Sequence, residues 1–342
     1  MKKFYLFAAM AAGMTLASCN NDENVESAIN DNIKLQVENV GLKTVNSRAG
    51  ITATSFTNGE TLGLYIYRGN VGDYTAYNDG AAGLPTENVP YYENNGDWTQ
   101  AQPIVLSNVK GYVYAYYPYN AENNGSTDIK TTVLETQGDG QSDGTVDEDQ
   151  ADYMYATPVA DKSNVDYKVE LEMNHALAMV SFKFVQTTDA TLIYPGEGKV
   201  SKIVLKNKTG KTAIQVGEAT MDLATGVFSN FVAAANGITL TPNATESLMD
   251  VDYATYPEKM PRLLLYPVAA VAADDAEVTI TVDGNDYTMP IPAIATGYKA
   301  GFNYHYTFTL KGTGLELTTV SIKEWIPENV TGGDIQKPDT QI

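Results

Sequence analysis

The only thiol in this chain of 342 residues belongs to Cys19. One cysteine can form neither an internal disulfide nor a cysteine-based metal cluster. It lies directly behind MKKFYLFAAMAAGM, a run with the lysines and the short apolar stretch of a secretory leader. Either Cys19 is an incidental residue of a cleaved leader, or it is the attachment point of a lipid.

The residues before Cys19 favour the lipid. Leu16-Ala17-Ser18-Cys19 resembles the lipobox of bacterial lipoproteins, which implies that residues 1–18 are a signal peptide and that Cys19 becomes the acylated first residue. The apolar run is shorter than the roughly 20 residues that a helix needs to span a bilayer. Acyl chains, buried at about 0.8 kcal/mol per methylene, anchor such a protein instead. We therefore expect a lipid-anchored precursor.

Acidic residues outnumber basic ones by 42 to 22, which gives a net charge of −20. The excess lies beyond residue 48, because residues 1–48 carry equal numbers of both signs. Such a surface repels phosphate backbones and argues against nucleic-acid binding. The remaining length allows two domains, and without disulfides both must be stabilised by buried apolar area.

Two histidines are the only imidazoles, and each lies in a strand-like segment. Neither His175 nor His305 lies near a G-x-S-x-G, H-E-x-x-H or phosphate-loop motif. A lone histidine seldom carries chemistry without suitable neighbours, so we interpret both as partly buried strand residues. The sequence therefore predicts that the protein is not an enzyme and needs no cofactor.

An acidic loop at residues 136–152 places Asp139, Gln141 and Asp143, followed by glycine, in the spacing that opens a calcium loop. The twelfth position holds Gln150 instead of a bidentate glutamate, and neither flank has a helical pattern. A solvated loop is the preferred interpretation, and calcium binding is left open.

Short segments with alternating apolar residues recur along the chain, separated by clusters of Gly, Asn, Asp and Pro. No amphipathic helix longer than about three turns is predicted, and the pattern is typical of β-sandwiches. The predicted strands include residues 33–45, 103–107, 111–119, 167–173, 176–185, 201–207, 212–216, 262–268, 276–284, 286–291, 304–310 and 315–322.

Turn residues and loops indicate how these strands are joined. The stretch VDGNDY at 282–287 predicts a hairpin turn in which Gly284 and Asn285 take positive φ. The best place for a domain boundary is 161–164, after the acidic loop, because the strand pattern resumes strongly at Tyr167.

Tyrosine is frequent, with 23 in the chain and a dense group in GYVYAYYPY at 111–119. Exposed aromatic rings stack sugars in carbohydrate-binding proteins, so a surface glycan-binding lipoprotein is the alternative function. Tyrosine is also a favoured strand residue that buries its ring. Because Tyr112, Tyr114 and Tyr116 share one face of a strand, packing within a sheet is the preferred interpretation.

Several segments together resemble the fimbrillin family, the type V pilins of Bacteroidetes. They are YVYAYYPYN (112–120), DYMYAT (152–157), VELEMNHALAMVSFKF (169–184) and AGFNYHYTFTLKGTGLELTTVSIKEW (300–325). The lipobox at Cys19 and the joint between Arg48 and Ala49 fit the same scheme. The similarity spans most of the chain in the right order.

The resemblance implies an all-β chain with two transthyretin-like antiparallel β-sandwich domains in tandem. Here they would be residues 49–163 and 164–342, after a propeptide at 19–48. It also implies a fimbrial subunit with a role in adhesion, exported to the cell outer membrane as a palmitate-bearing lipoprotein. An arginine-specific protease would cut between Arg48 and Ala49.

Cleavage would release the strand at 33–45, whose Ile33, Leu35 and Val37 we expect to be buried, and open a groove in the N-terminal sheet. A strand from an identical or related pilin subunit would fill it, giving a head-to-tail polymer in the extracellular fimbria. We expect the donor strand within 315–326, since the tail at 327–342 has little apolar alternation. Stalk, anchor and tip roles are left open.

Overall fold

The computed structural model describes residues 33–43, 56–77, 85–138, 150–232, 236–242, 247–252 and 260–325. Over these ranges the chain is all-β, as predicted. The described residues form 21 strands and a single short 3-10 turn at Ala121–Asn123, with no α-helix among them.

The strands follow one another with short connections. The first eleven are β1 Gln36–Leu42, β2 Thr61–Arg68, β3 Thr75–Ala76, β4 Val89–Asn94, β5 Asp97–Thr99, β6 Gly111–Tyr117, β7 Asp128–Val133, β8 Thr136–Gly138, β9 Met154–Ala156, β10 Val159–Lys162 and β11 Lys168–His175. The other ten are β12 Ala178–Gln186, β13 Val200–Asn207, β14 Gly217–Asp222, β15 Phe228–Ser229, β16 Gly237–Thr241, β17 Arg262–Leu265, β18 Ala276–Val282, β19 Asn285–Pro290, β20 Phe302–Lys311 and β21 Gly314–Glu324.

Four sheets result from their pairing. The largest has nine strands in the order β1-β11-β9-β6-β2-β4-β5, with β10 and β3 added to β6 and β2. The others run β17-β12-β20-β21, β19-β18-β13-β16-β8 and β15-β14-β7. Most pairs are antiparallel, whereas β1–β11, β12–β20 and β16–β8 are parallel.

Buried side chains form three clusters. The N-terminal core lies on the nine-stranded sheet and includes Leu62, Leu64, Tyr91, Val113 and Leu171. The C-terminal core includes Phe182, Phe184, Leu205, Ile280, Tyr306 and Phe308, from the four- and five-stranded sheets. Strand alternation accounts for both, because inward positions recur every second residue.

A tyrosine cluster forms the third group. Tyr65, Tyr114 and Tyr116 are fully buried and pack with Met221 and Leu223 of the β14 region. The Tyr116 hydroxyl donates to Asn88 Oδ1 at 2.7 Å, so the ring can be buried without leaving its polar end unsatisfied.

Three local predictions need correction. Residues 103–107 form no strand, only the isolated bridge of Val105 to Lys34. Residues 212–216 do not form a strand; instead the Asn207 side chain bonds the backbone N–H and C=O of Ile214, both at 2.7 Å, which satisfies the backbone without a ladder. The hairpin turn after β18 is present, but its positive φ angles are at Asp283 (46°) and Gly284 (80°) rather than at Asn285.

Strand pairing crosses the predicted boundary at 163/164 in both directions. Strands β7 and β8, which precede it, pair with β14 and β16. Strand β11, which follows it, pairs with β1 and β9. The division into residues 49–163 and 164–342 stays a prediction.

Candidate functional site

The predicted removable strand is present as β1, and the residues just before it, 33–35, are bonded to a second segment at 104–106. Leu35 N–H donates to Ile104 O (2.9 Å), and Leu106 N–H donates to Ile33 O (2.8 Å). The rest runs parallel to β11, from Gln36 opposite Lys168 to Leu42 opposite Met173. We call these two edges, with the apolar surface between them, the β1 slot.

The inward side chains of β1 are buried in the N-terminal core. Leu35 and Val40 are 0% exposed and Val37 is 5% exposed, whereas Ile33, expected to be buried, is half-buried. The surrounding apolar residues include Leu64, Tyr91, Trp98, Ile104, Leu106 and Leu171. Each fully buried aliphatic side chain contributes about 1.5–3 kcal/mol, so the slot holds the strand by apolar contact as well as by hydrogen bonds.

A β-bulge interrupts β1 in the middle. Val37 is opposite Val169 and Asn39 is opposite Glu170, so Glu38 is an extra residue with no partner of its own. A one-residue bulge reverses which positions face inward. This is why the buried residues are Leu35, Val37 and then Val40, instead of following a strict alternation.

Polar groups complete the fit. The Tyr91 hydroxyl donates to Leu35 O at 3.3 Å, and burial raises the pKa of this hydroxyl, which keeps it protonated and able to donate. On the outer side, Glu38 pairs with Lys168 of β11, and Lys43 Nζ lies 3.8 Å from Glu172 Oε2.

The predicted donor segment has a different environment. Strand β21 pairs with β20 along its whole length and lies at the edge of its sheet. None of its residues is buried, and Ile322 is 47% exposed. Beyond it, Trp325 stacks on the His175 ring at the end of β11, with centroids 3.9 Å apart.

The residues predicted for processing lie outside the described part of the chain. These are Cys19, Arg48 and Ala49. Most of the acidic loop considered for calcium, residues 139–149, also lies outside it. Gln150 is described, and its amide bonds Leu134 N–H (2.7 Å) and Thr132 O (3.1 Å). Among the described residues there is no group of three or more His, Cys, Asp or Glu side chains suited to a metal ion.

The other two arginines are in paired strands. Arg68 ends β2 opposite Thr75, and Arg262 begins β17 opposite Ser181. All remaining basic residues of the chain are lysines.

Both histidines lie in strands, as predicted. His175 Nδ1 is 2.8 Å from Asp152 Oδ2. His305 Nδ1 is 2.8 Å from the Ser181 hydroxyl, and burial together with the positive charge of Lys323 lowers the pKa of His305 to about 4. Ser181 is only 1% exposed, so this pair cannot meet a substrate at the surface.

Sequence patterns alone missed two parts of the site. One is the slot edge at 104–106, which was predicted as an ordinary strand and forms only an isolated bridge, Lys34 to Val105. The other is the hydroxyl of Tyr91. In each case the partner is more than 50 residues away along the chain, and local alternation carries no information on which edges meet.

Comparison with known proteins identifies the family. A model of the fimbrillin-like family matches residues 47–325. The chain belongs to the fimbrillin-like family. The matched part begins beside Arg48 and leaves out β1.

One curated relative and two solved structures are similar to this chain. The fimbrium tip subunit Fim1C of Bacteroides ovatus is 26% identical over 205 residues, which are 55% of this chain and 36% of that protein. The chain thus spans about a third of that relative's length. A cell adhesion protein of Bacteroides uniformis shares the fold (TM-score 0.58, 21% identity, 86% of this chain and 99% of that one). A second, from Bacteroides ovatus, has a TM-score of 0.59 at 18% identity, with 86% and 99% covered.

The curated relative is a fimbrial subunit, and the two solved structures are of cell adhesion proteins. No helix among the described residues is both long and apolar enough to cross a membrane.

Proposed function

We propose that this chain is a structural subunit of a cell-surface fimbria with a role in adhesion. It is exported as a lipoprotein through Cys19, held at the outer membrane, cut between Arg48 and Ala49, and assembled head-to-tail by strand exchange with identical or related subunits. The observation that carries this proposal is the β1 slot, in which a segment before Arg48 completes the core without any covalent tie except the chain itself.

Loss of β1 would expose a template for another strand. Its departure leaves unpaired the backbone groups of β11 and of residues 104–106 and uncovers an apolar surface between them. Unpaired edges beside apolar pockets bind added strands. The precursor, with its slot filled, should therefore stay monomeric, and the cut form should polymerise.

The placement of arginine supports a single cut. A protease needs an accessible, extended segment, and such segments occur in exposed loops rather than in paired strands. Arg68 and Arg262 are both paired in sheets. An arginine-specific protease would thus leave the body of the protein intact, whereas 19 of the 22 basic residues, being lysines, offer it no site.

The test compares three precursors in cells: wild type, Arg48→Lys, and Arg48→Lys carrying a site for an unrelated viral protease at residues 46–49. Electron microscopy and SDS ladders should show filaments for the first only. Adding the viral protease should restore them in the third. Abundant filaments from Arg48→Lys alone would contradict processing at this position by an arginine-specific protease.

Lipid attachment has its own test. Radiolabelled palmitate should label the wild-type precursor and be absent from Cys19→Ala; equal labelling of the two would refute it. N-terminal sequencing of protein sheared from cells separates the proposal from a surface glycan-binding lipoprotein. A fimbrial subunit should begin at Ala49, and a surface binder should keep Cys19 as its first residue.

A further inference from the structure

Strands β1 and β21 carry the same side-chain pattern, although they lie in different sheets and pair in opposite senses. Residues 35–43 read LQVENVGLK, and residues 315–323 read LELTTVSIK. Leucine, valine and lysine coincide at the first, sixth and ninth positions. At the other positions of this alignment, an aliphatic residue corresponds to an aliphatic one and a polar residue to a polar one, and glycine corresponds to serine.

The two strands also bulge at the same position. In β1 the extra residue is Glu38, the fourth of the nine. In β21, Leu317 is opposite Phe308 and Thr319 is opposite Thr307, so the extra residue is Thr318, again the fourth. In both strands, therefore, the first, third, sixth and eighth residues point the same way.

β21 has an aliphatic residue at each position where residues 35–43 bury a side chain in the slot. The slot encloses Leu35, Val37 and Val40, for which β21 offers Leu315, Leu317 and Val320. In their own sheet these three β21 residues are only partly buried against the C-terminal core. The backbone bonds that β21 makes to β20 would be replaced by bonds to β11 and to residues 104–106, and burial in the slot would remove more of the apolar surface of these side chains from water.

We propose that the occupant of the β1 slot after cleavage is residues 315–323 of a second copy of this chain, in one register set by the bulge. Leu315 takes the place of Leu35, Thr318 that of Glu38 and Lys323 that of Lys43, close to Glu172. This inference rests on the proposed function and names its partner and register. A strand with strict alternation is excluded, because past the fourth residue it would turn its apolar side chains outward.

The first test uses the intact precursor and needs no cleavage. The graft replaces the slot strand by the β21 pattern with Gly41 retained: Gln36→Glu, Val37→Leu, Glu38→Thr, Asn39→Thr and Leu42→Ile. The matched control has the same composition and length but exchanges the fifth and sixth residues, by Asn39→Val and Val40→Thr. We expect the graft to keep the wild-type unfolding midpoint within a few degrees and the control to lose roughly 5 °C or more. Equal midpoints for graft and control would overturn the register.

The second test measures binding between molecules. Precursor is cut by an arginine-specific protease, its released segment is removed in urea by gel filtration, and fluorescein-labelled peptides are added on refolding. The peptides are residues 33–43, residues 313–324, and 313–324 with Thr319 and Val320 exchanged. Anisotropy should show binding of the first two, with the exchanged peptide weaker by about tenfold or more.

The outcomes separate this inference from the proposed function. If residues 33–43 fail to rebind, the released-strand function is wrong and the inference falls with it. If residues 33–43 bind while 313–324 does not, or if both orders of 313–324 bind equally, the inference alone is overturned. The peptide 33–43 carrying Gly41→Ser should bind like the unsubstituted peptide, because Ser321 takes the place of Gly41; loss of its binding would overturn this register.

Discussion

Strands β1 and β21 place nearly the same side chains in two very different surroundings. β1 is paired with β11 on one side, residues 33–35 just before it are bonded to residues 104–106, and the inward side chains are buried, with Leu35 0% exposed. β21 has β20 on one side, and Leu315, which is equivalent to Leu35, is half-buried. Because the two sequences are so similar, the difference in burial must come from the surroundings of each strand and not from its own side chains. The additional bonds at residues 33–35 and the apolar core beneath the strand, rather than a more strongly alternating sequence, make β1 part of the core.

The largest effect expected from this contrast comes from truncating the first leucine of each strand. Leu35→Ala should destabilise the precursor by about 2–5 kcal/mol, because it leaves a cavity in a closed core. Leu315→Ala should cost about 1 kcal/mol, since part of that side chain already meets water. Urea unfolding of the two variants beside wild type measures both. Equal losses would mean that the two sites enclose their strands equally well.

A pH titration should sharpen the contrast on the β21 side. His305, opposite Ser321 of β21, has its pKa lowered to about 4, whereas the pKa of a histidine in the unfolded chain is about 6.5. As the pH falls from about 6.5 to 4, the unfolded chain takes up a proton that the folded chain does not, so stability is lost over this window. The loss from this group should be about 1–3 kcal/mol.

The matched variant for the titration is His305→Gln, which removes the titratable imidazole and keeps a polar side chain that can bond the Ser181 hydroxyl. As the pH falls from about 6.5 to 4, wild type should lose about 1–3 kcal/mol of unfolding free energy relative to His305→Gln, and the difference should be constant above this window. A difference independent of pH across that window would show that His305 is not held neutral.

A smaller effect should follow from removing the hydroxyl that bonds the backbone of β1. Tyr91→Phe leaves the ring in the slot and deletes the donor to Leu35 O, so about 1 kcal/mol should be lost. The control is Tyr92→Phe, at an exposed neighbouring tyrosine, which should stay within about 0.5 kcal/mol of wild type. The same loss in both variants would argue against a specific bond to β1.

The smallest effect concerns the last lysine of each pattern. Lys43→Met removes a partner of Glu172 at a half-exposed site and should cost about 0.2–1 kcal/mol, less at high salt. Lys323→Met removes a charge that disfavours protonated His305, so it should raise the pKa of that histidine. NMR titration of His305 and urea unfolding at two salt concentrations would detect both changes. An unchanged His305 titration would show that Lys323 does not act on it.

The sequence predicted most of the strands but not their partners. The strand at 33–45 could be found because Leu35 and Val37 alternate with polar residues, and the fold class followed from many such segments. Val40 breaks that alternation, and its burial depends on the bulge at Glu38, which is formed against β11 about 130 residues away. Register of this kind is set by tertiary contacts, so local periodicity cannot supply it.

Other parts of the fold show the same limit of local sequence patterns. The tyrosines were correctly expected to pack, because a strand with Tyr114 and Tyr116 on one face must cover that face with other side chains, here Met221 and Leu223. The residues 212–216 look like a strand yet are not one, since the side chain of Asn207 takes over their backbone hydrogen bonds. A side chain that replaces a strand leaves no trace in the apolar pattern.

The bonding of residues 33–42 to two segments has a mechanical consequence. Residues 33–35, just before the strand, are bonded to residues 104–106, and β1 itself is bonded to β11, running parallel to it. A pull along its axis loads these bonds in shear, so that they resist together, whereas a pull across the sheet would open them one after another. A subunit joined to its neighbour through this site would carry tension along the filament with all of its bonds at once, and the common direction of every inserted strand would give the filament two unlike ends.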